Sequence, residues 1–345
     1  YSVDTRLFSL HSRALTLLYS EVEAAAERSH DVFVGTAGSV IARQNASGFR
    51  FYAHQFYGPD GKRKEKYLAG PIGSSEADAA AQTLRLRIQE TKALVPTLRL
   101  LGREGFAITD PKTHATVASL HNRGLFRAGA VLVGSHAYGV VLNRLGARAA
   151  AWATTDVDIA RAARLPVGFI DLLATLRESG IEFVEVPELD RKRPATSFKE
   201  TGRSRLVVDL LAATDADRPT VVDVPELHAH AAGLPDLGYL LQETQPGVLL
   251  AREGCCAVRV PVPERFAIHK VLVSAHRRRN PKSEKDLLQA AVVSAILAET
   301  HAGALESAIE SLRPKARRTF ANARRALAPH LTGHPRAIEA LGIEA

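Results

Sequence analysis

Methionine is absent from all 345 positions of this chain, and cysteine occurs only as the adjacent pair Cys255 and Cys256. Neighbouring cysteines supply neither a disulfide framework nor the spaced pairs that tetrahedral zinc requires. They are expected to act as small buried hydrophobes on a strand, in a reducing cytoplasm. Long apolar runs are missing as well. The stretch Ala290 to Ala298 is far too short to span a bilayer and is interrupted by Ser294, so no membrane segment is expected. No opening segment reads as a signal peptide, and no internal repeat is visible. With 46% hydrophobic and 24% charged residues, the composition excludes disorder and collagen-like repetition. Acidic residues are the scarcer charge, 37 against 45 Lys and Arg, which leaves a net charge of +8 and favours an anionic partner, nucleic acid among the candidates.

The chain is long enough for two compact domains and an appendage. Apolar spacing predicts a helix over Leu7 to Arg28. Strand-like residues from Arg50 to Leu68, broken by Gly58-Pro59-Asp60-Gly61, predict a β-hairpin. Helices follow over Ser74 to Leu101, with Ser75 and Asp78 at capping-box spacing, and from Asp110-Pro111 to Arg123. The middle third alternates: strand Ala128 to Val133, helix His136 to Leu145, strand Thr155 to Ala160, helix Pro166 to Ser179, strand Ile181 to Val186 and strand Arg205 to Leu211. That alternation predicts an α+β fold, a mixed sheet with helices packed on it. Beyond Pro263 the pattern is helical, over Glu264 to Arg278, Ser283 to Glu299 and Leu305 to Ala326. Three regions result: an accessory part at 1–105 with the hairpin, a core at 106–225, and a mainly helical part at 226–345.

The chemistry concentrates in the core. Val131-Leu132-Val133-Gly134-Ser135 is followed by Thr155-Asp156-Val157-Asp158-Ile159. Alternation along a strand sends Asp156 and Asp158 to one face. Two carboxylates aimed at one point repel each other, and a hard divalent cation converts that repulsion into binding. A third carboxylate, Asp209, interrupts the apolar strand Leu206-Val207-Val208-Asp209-Leu210-Leu211, where a charge needs a partner. A strand ending in glycine lets the backbone approach a triphosphate, and the helix that follows offers free amides to an anion, with the Ser135 hydroxyl alongside.

These residues resemble the signature of the DNA polymerase β-like nucleotidyltransferase superfamily, which includes CCA-adding enzymes and bacterial toxin transferases. That signature is a Gly-Ser turn entering a helix, then Asp-x-Asp on the next strand, then a lone Asp on a later strand. Gly134, Ser135, Asp156, Asp158 and Asp209 match it in order, over roughly Ala128 to Leu211. The gap between Gly-Ser and Asp-x-Asp is longer than in minimal members. The resemblance implies a mixed sheet flanked by helices and transfer of a nucleoside monophosphate from a nucleoside triphosphate, using magnesium, or manganese in its place, held by Asp156, Asp158 and Asp209. By a further likeness to abortive-infection toxin transferases, Lys270 would hold the triphosphate with Arg277 on a similar bearing, and Asp286 would assist the acceptor. Solvated helix residues and a Ser283/Asp286 capping box are the bland alternatives.

Arg161, just past Asp-x-Asp, is a candidate substrate contact. Lys62, Arg63, Lys64 and Lys66 lie close to Tyr52, Phe56, Tyr57 and Tyr67, a mixture that suits an RNA acceptor such as a tRNA end but also suits an ordinary hairpin with a charged edge. A second basic run spans Arg313 to Arg318 and continues to Arg325. Glu226, His228 and His230 lack the further ligands of a zinc site. A noncatalytic nucleic-acid-binding module on the same fold, and a transferase acting on a protein or small molecule, are the competing readings.

Overall fold

The computed structural model describes residues 7–150, 154–188, 193–203, 206–276 and 281–344. Arg205, Arg277 and Arg278, which figure in the sequence reading, lie outside the described residues.

A short strand β1 (Phe8–Leu10) precedes helix α1 (Arg13–Arg28). The helix starts later than its apolar spacing suggests because Ser12 caps it, accepting a bond from the Leu15 amide. The residues ahead of it pair instead with Ala147–Ala149. The predicted hairpin is a three-stranded antiparallel meander: β2 (Ser39–Gln44), β3 (Arg50–Tyr57) and β4 (Arg63–Ala69). The turn falls where Gly58 and Asp60 place it, closed by the Gly58 amide on the Lys62 carbonyl. β2 escapes a composition-based reading because it carries no aromatic residue and is largely exposed. One face of the meander packs on α2 (Ser75–Arg103), where Val40 and Leu68 meet Leu84 and Ile88.

The core runs through α3 (Pro111–Asn122), β5 (Val131–Val133), α4 (Gly134–Arg144), β6 (Ala147–Ala149), β7 (Asp156–Arg161), α5 (Leu172–Arg177), β8 (Phe183–Glu185), β9 (Ser197–Glu200), β10 (Val207–Ala213), β11 (Thr220–Val224) and β12 (Ala229–Leu234). All of its strands but β6, which pairs with β1, form one seven-stranded mixed sheet with the order β11-β12-β10-β7-β5, and β9 joins β10 with β8 beyond it. β7, β10 and β12 run parallel, while β5, β9 and β11 are antiparallel to their neighbours. Helix α5 is shorter than predicted. Asp171 caps it by accepting the Ala174 amide, and the residues before it are held by Glu226, whose side chain takes the Leu165 amide and whose carbonyl takes that of Ile170.

After α6 (Leu237–Leu241), a β-hairpin of β13 (Thr244–Leu250) and β14 (Cys255–Pro261) precedes the helical part. Cys255 and Cys256 are buried free thiols on β14, as their small apolar character predicts. The chain closes with α7 (Pro263–His276), α8 (Pro281–Thr300), α9 (Ala304–Glu310), α10 (Pro314–Ala323) and α11 (Pro335–Ala340). The single helix predicted from Leu305 breaks at Pro314, which lacks the amide a continuous helix needs and starts α10 instead. The apolar run of α8 is a core element: Ala290, Val293, Ala295 and Ile296 are all fully buried. Among the described residues no helix is long and apolar enough to cross a membrane.

Candidate active site

β7 and β10 lie side by side in register, so Asp158 sits directly opposite Asp209 and Asp156 opposite Val207. Partners in register share a face, and Asp156, Asp158 and Asp209 therefore project together. The alternate residues Val157, Ile159, Val208 and Leu210 fill the core beneath them. This is the physical reason that one strand tolerates Asp-x-Asp and its neighbour a lone Asp. The apolar half of each strand anchors it, and the other half is free to carry charge.

β5 brings Gly134 over the same pair, since Val133 lies opposite Asp158 on the other side of β7. Gly134 has φ +68°, and a Cβ at this position would run into the Asp158 carboxylate. Glycine is thus required twice, for the left-handed backbone and for the approach to the acid. Helix α4 starts here without any side-chain cap, so its first-turn amides are left to whatever occupies the cleft. An anion at that helix terminus is favoured by those amides and by the helix dipole.

From the opposite side, α7 and α8 close the cleft. Gly134, Ser135, Asp156, Asp158 and Asp209 line a cavity of about 180 Å³ together with Lys270, Lys282, Lys285 and Asp286. The Lys270 ammonium donates to Asp286 at 2.6 Å, with both groups buried, and Lys282 Nζ lies 3.9 Å from Asp156. Ser283, read as a capping-box partner of Asp286, instead donates to the Ser274 carbonyl.

Burial, followed by the negative charge of Asp209, pushes the Asp158 carboxyl up to about 6, against the pull of Lys270. Burial also raises Asp209, partly offset by the hydroxyl of Ser197, which donates to it at 2.5 Å. Lys285 is lowered, first by burial and then by the neighbouring charge of Lys270. Acids held above their usual range beside a lysine held below its own are what a charge-dense site with restricted water produces.

Among the described residues no three His, Cys, Asp or Glu side chains already converge as a metal cage; lysines balance the carboxylates instead. Magnesium usually takes only one or two protein carboxylates and completes its octahedron with water and phosphate oxygens. Asp158 and Asp209, adjacent in register, have that donor chemistry.

The structure brings Gly134, Ser135, Asp156, Asp158, Asp209, Lys270 and Asp286 to one cavity. It does not bring Arg161 there. As an odd-numbered position on β7, Arg161 takes the opposite face from the acids, donating to Glu226 at 3.1 Å and to the Asp223 carbonyl at 2.8 Å. The expected substrate contact is therefore replaced by a bond that braces the sheet edge. Arg277 lies outside the described residues. Lys282, Lys285 and Ser197 are additions. The i, i+3 spacing of the two lysines at the start of a helix was a readable signal, whereas nothing in the sequence pairs Ser197 with Asp209. The second basic run does not line the cleft; Arg313 and Lys315 pair with Asp215 and Asp217.

Fold and cleft together have the character of a protein that handles polyphosphate: a mixed sheet presenting acids, roofed by helices presenting lysines. The chain belongs to the nucleotidyltransferase family, whose sequence profile matches residues 111–314, more than half of its length. That stretch runs from the start of α3 to the first residue of α10 and contains the whole cleft. No curated protein and no solved structure matches the chain.

Proposed function

We propose that this protein transfers a nucleoside monophosphate from a nucleoside triphosphate to an acceptor hydroxyl, releasing pyrophosphate, with Asp156, Asp158 and Asp209 as the essential acids. The observation that carries the reading is the in-register pair Asp158 and Asp209 beneath Gly134. Magnesium, or manganese in its place, supplies charge neutralisation and activation of the acceptor when held by Asp156 and Asp158, with Asp209 on the acceptor side. The acceptor hydroxyl gives up its proton to water as its oxygen bonds to the α-phosphorus, the bond to the bridging oxygen breaks, and the leaving pyrophosphate gains the negative charge. The first-turn amides of α4 and the Ser135 hydroxyl bind that phosphate tail. Lys270, steered by Asp286, and the two lysines of α8 stand where its charge grows.

For the acceptor, RNA is the favoured class. The meander leaves Tyr57 and Tyr67 more than half exposed and Phe49 exposed at its edge, with Lys62 and Arg63 at the turn. Exposed rings stack on unpaired bases while basic groups meet phosphates. The decisive experiment supplies each α-labelled nucleoside triphosphate with magnesium and either total RNA or total protein. Label is expected in RNA, and none with the Asp209→Ala variant. Label in protein would move the acceptor class, and label transfer undiminished by Asp209→Ala would remove the reading.

A further inference from the structure

Strand β9 brings a hydroxyl to the acid of β10. Ser197 and Asp209 are antiparallel partners in register. One step along, the Leu210 amide donates to the Thr196 carbonyl at 3.0 Å. Facing residues of an antiparallel ladder alternate between hydrogen-bonded and non-hydrogen-bonded pairs, so Ser197 and Asp209 form a pair of the second kind, whose side chains stand closest. The Ser197 hydroxyl donates to Asp209 Oδ1 at 2.5 Å, the length of a hydroxyl bonded to an ionised carboxylate.

Ser197 is itself held from both sides. Its carbonyl accepts the Val186 amide at 2.9 Å, next to β8. At the far end of β9, Glu200 accepts from the Lys112 ammonium of α3 at 2.6 Å. The hydroxyl is thus presented by a braced strand and not by a loop, which suits a group that must hold another in place. An aspartate carboxyl turns about a broad, roughly twofold terminal torsion. Asp158 is confined by the close approach of Gly134. Asp209 is confined by Ser197 instead, which fixes Oδ1 and with it the plane in which the carboxylate offers its other lone pairs.

We infer that Ser197 is a positioning residue, which holds the Asp209 carboxylate in the orientation that takes the acceptor-side metal ion. The inference rests on the transferase reading, because it takes Asp209 to hold that ion. Hydrogen-bond partners of a metal-binding carboxylate orient it, and their loss costs about 10–100-fold in metal affinity or activity.

The test compares Ser197→Thr with Ser197→Val. Both replacements are β-branched and nearly alike in shape, but only threonine keeps the donor. The readout is manganese, in place of magnesium, bound to the protein with a saturating non-hydrolysable nucleoside triphosphate and followed by electron paramagnetic resonance. Thermal unfolding reports whether each variant is folded, and Ser197→Ala, which removes the oxygen and adds nothing, serves where Ser197→Val is not. Ser197→Thr is expected to keep the wild-type affinity, and Ser197→Val and Ser197→Ala to bind one ion about 10–100-fold more weakly. With Asp209→Asn as background, the three replacements are expected to bind manganese alike, whereas a merely structural serine would give the same differences in both backgrounds. Wild-type affinity without the hydroxyl, a loss that Ser197→Thr shares, or a difference that persists with Asp209→Asn overturns the inference and leaves the transferase reading intact. Failure of the wild-type protein to bind manganese with the nucleotide overturns the transferase reading and the inference with it.

Discussion

Gly134→Ala separates the structural from the chemical demand on one residue. The native φ of +68° costs a residue with a Cβ roughly 1–2 kcal/mol. The new methyl must also displace the Asp158 carboxylate, which it meets on the side facing the cleft. Gly303→Ala is the matched control, since its φ of +83° carries the same backbone penalty while a Cβ there meets nothing within 4 Å. Urea unfolding is expected to show each variant losing about 1–2 kcal/mol, with Gly134→Ala somewhat the worse of the two. Pyrophosphate release is expected to split them. Gly303→Ala should turn over like the wild type, and Gly134→Ala should fall by about 100-fold, the scale of a reacting group misplaced by about 1 Å. Near-normal turnover by Gly134→Ala, or an equal loss in the control, would refute the argument that the glycine exists to admit the acid.

Four further outcomes are expected. Because the folded chain keeps the Asp158 carboxyl protonated up to about pH 6 and the unfolded chain releases that proton near 3.8, stability falls as pH rises from about 4 to about 6 and stays at the lower level beyond it. Asp158→Asn should therefore raise unfolding free energy by something on the order of 2 kcal/mol near pH 8, a gain that vanishes towards pH 4; a gain of equal size at both ends would contradict it. On the proposed mechanism the apparent magnesium affinity should weaken as pH drops through about 6, since protons then compete with the ion for the Asp158 carboxyl, and magnesium titrations at pH 5 and pH 8 check it. Lys270→Ala breaks the buried Lys270–Asp286 ion pair and should cost about 3–5 kcal/mol, whereas Lys270→Met combined with Asp286→Leu should recover much of it; a double-mutant cycle in urea checks the coupling. Asn143→Ala removes the clamp in which that amide accepts from the Ala107 N–H at 2.7 Å and donates to its carbonyl at 2.9 Å. Each stranded backbone group should cost about 1–3 kcal/mol, read as a lowered Tm.

Most of the cleft was legible because its signals are local. A glycine closing an apolar strand, Asp-x-Asp on a second and a lone acid on a third each speak within a few residues, and alternation alone decides the faces. The same rule applied to Arg161 would have turned it away from the acids, since its parity differs from theirs. What was illegible depends on pairing across distance. Lys270 and Asp286 are ordinary helix residues until α7 and α8 fold against each other. Ser197 reaches Asp209 only through the antiparallel pairing of β9 and β10. The strands from β11 to β13 were overlooked because β11 is short and the others mix proline, glycine or small residues into the pattern, as Gly233 does in β12 and Pro246 and Gly247 do in β13. Helix ends were misplaced where a cap outweighed periodicity, at Ser12 and Asp171.

The central claim is that acids from β7 and β10 join a divalent ion to a triphosphate. Its most direct measurement is the affinity of a non-hydrolysable nucleoside triphosphate with magnesium and with a chelator, in the wild type and in Asp158→Asn with Asp209→Asn combined. The account predicts binding that magnesium strengthens in the wild type and leaves unchanged in the double variant. Magnesium enhancement of the same size in both proteins would contradict it.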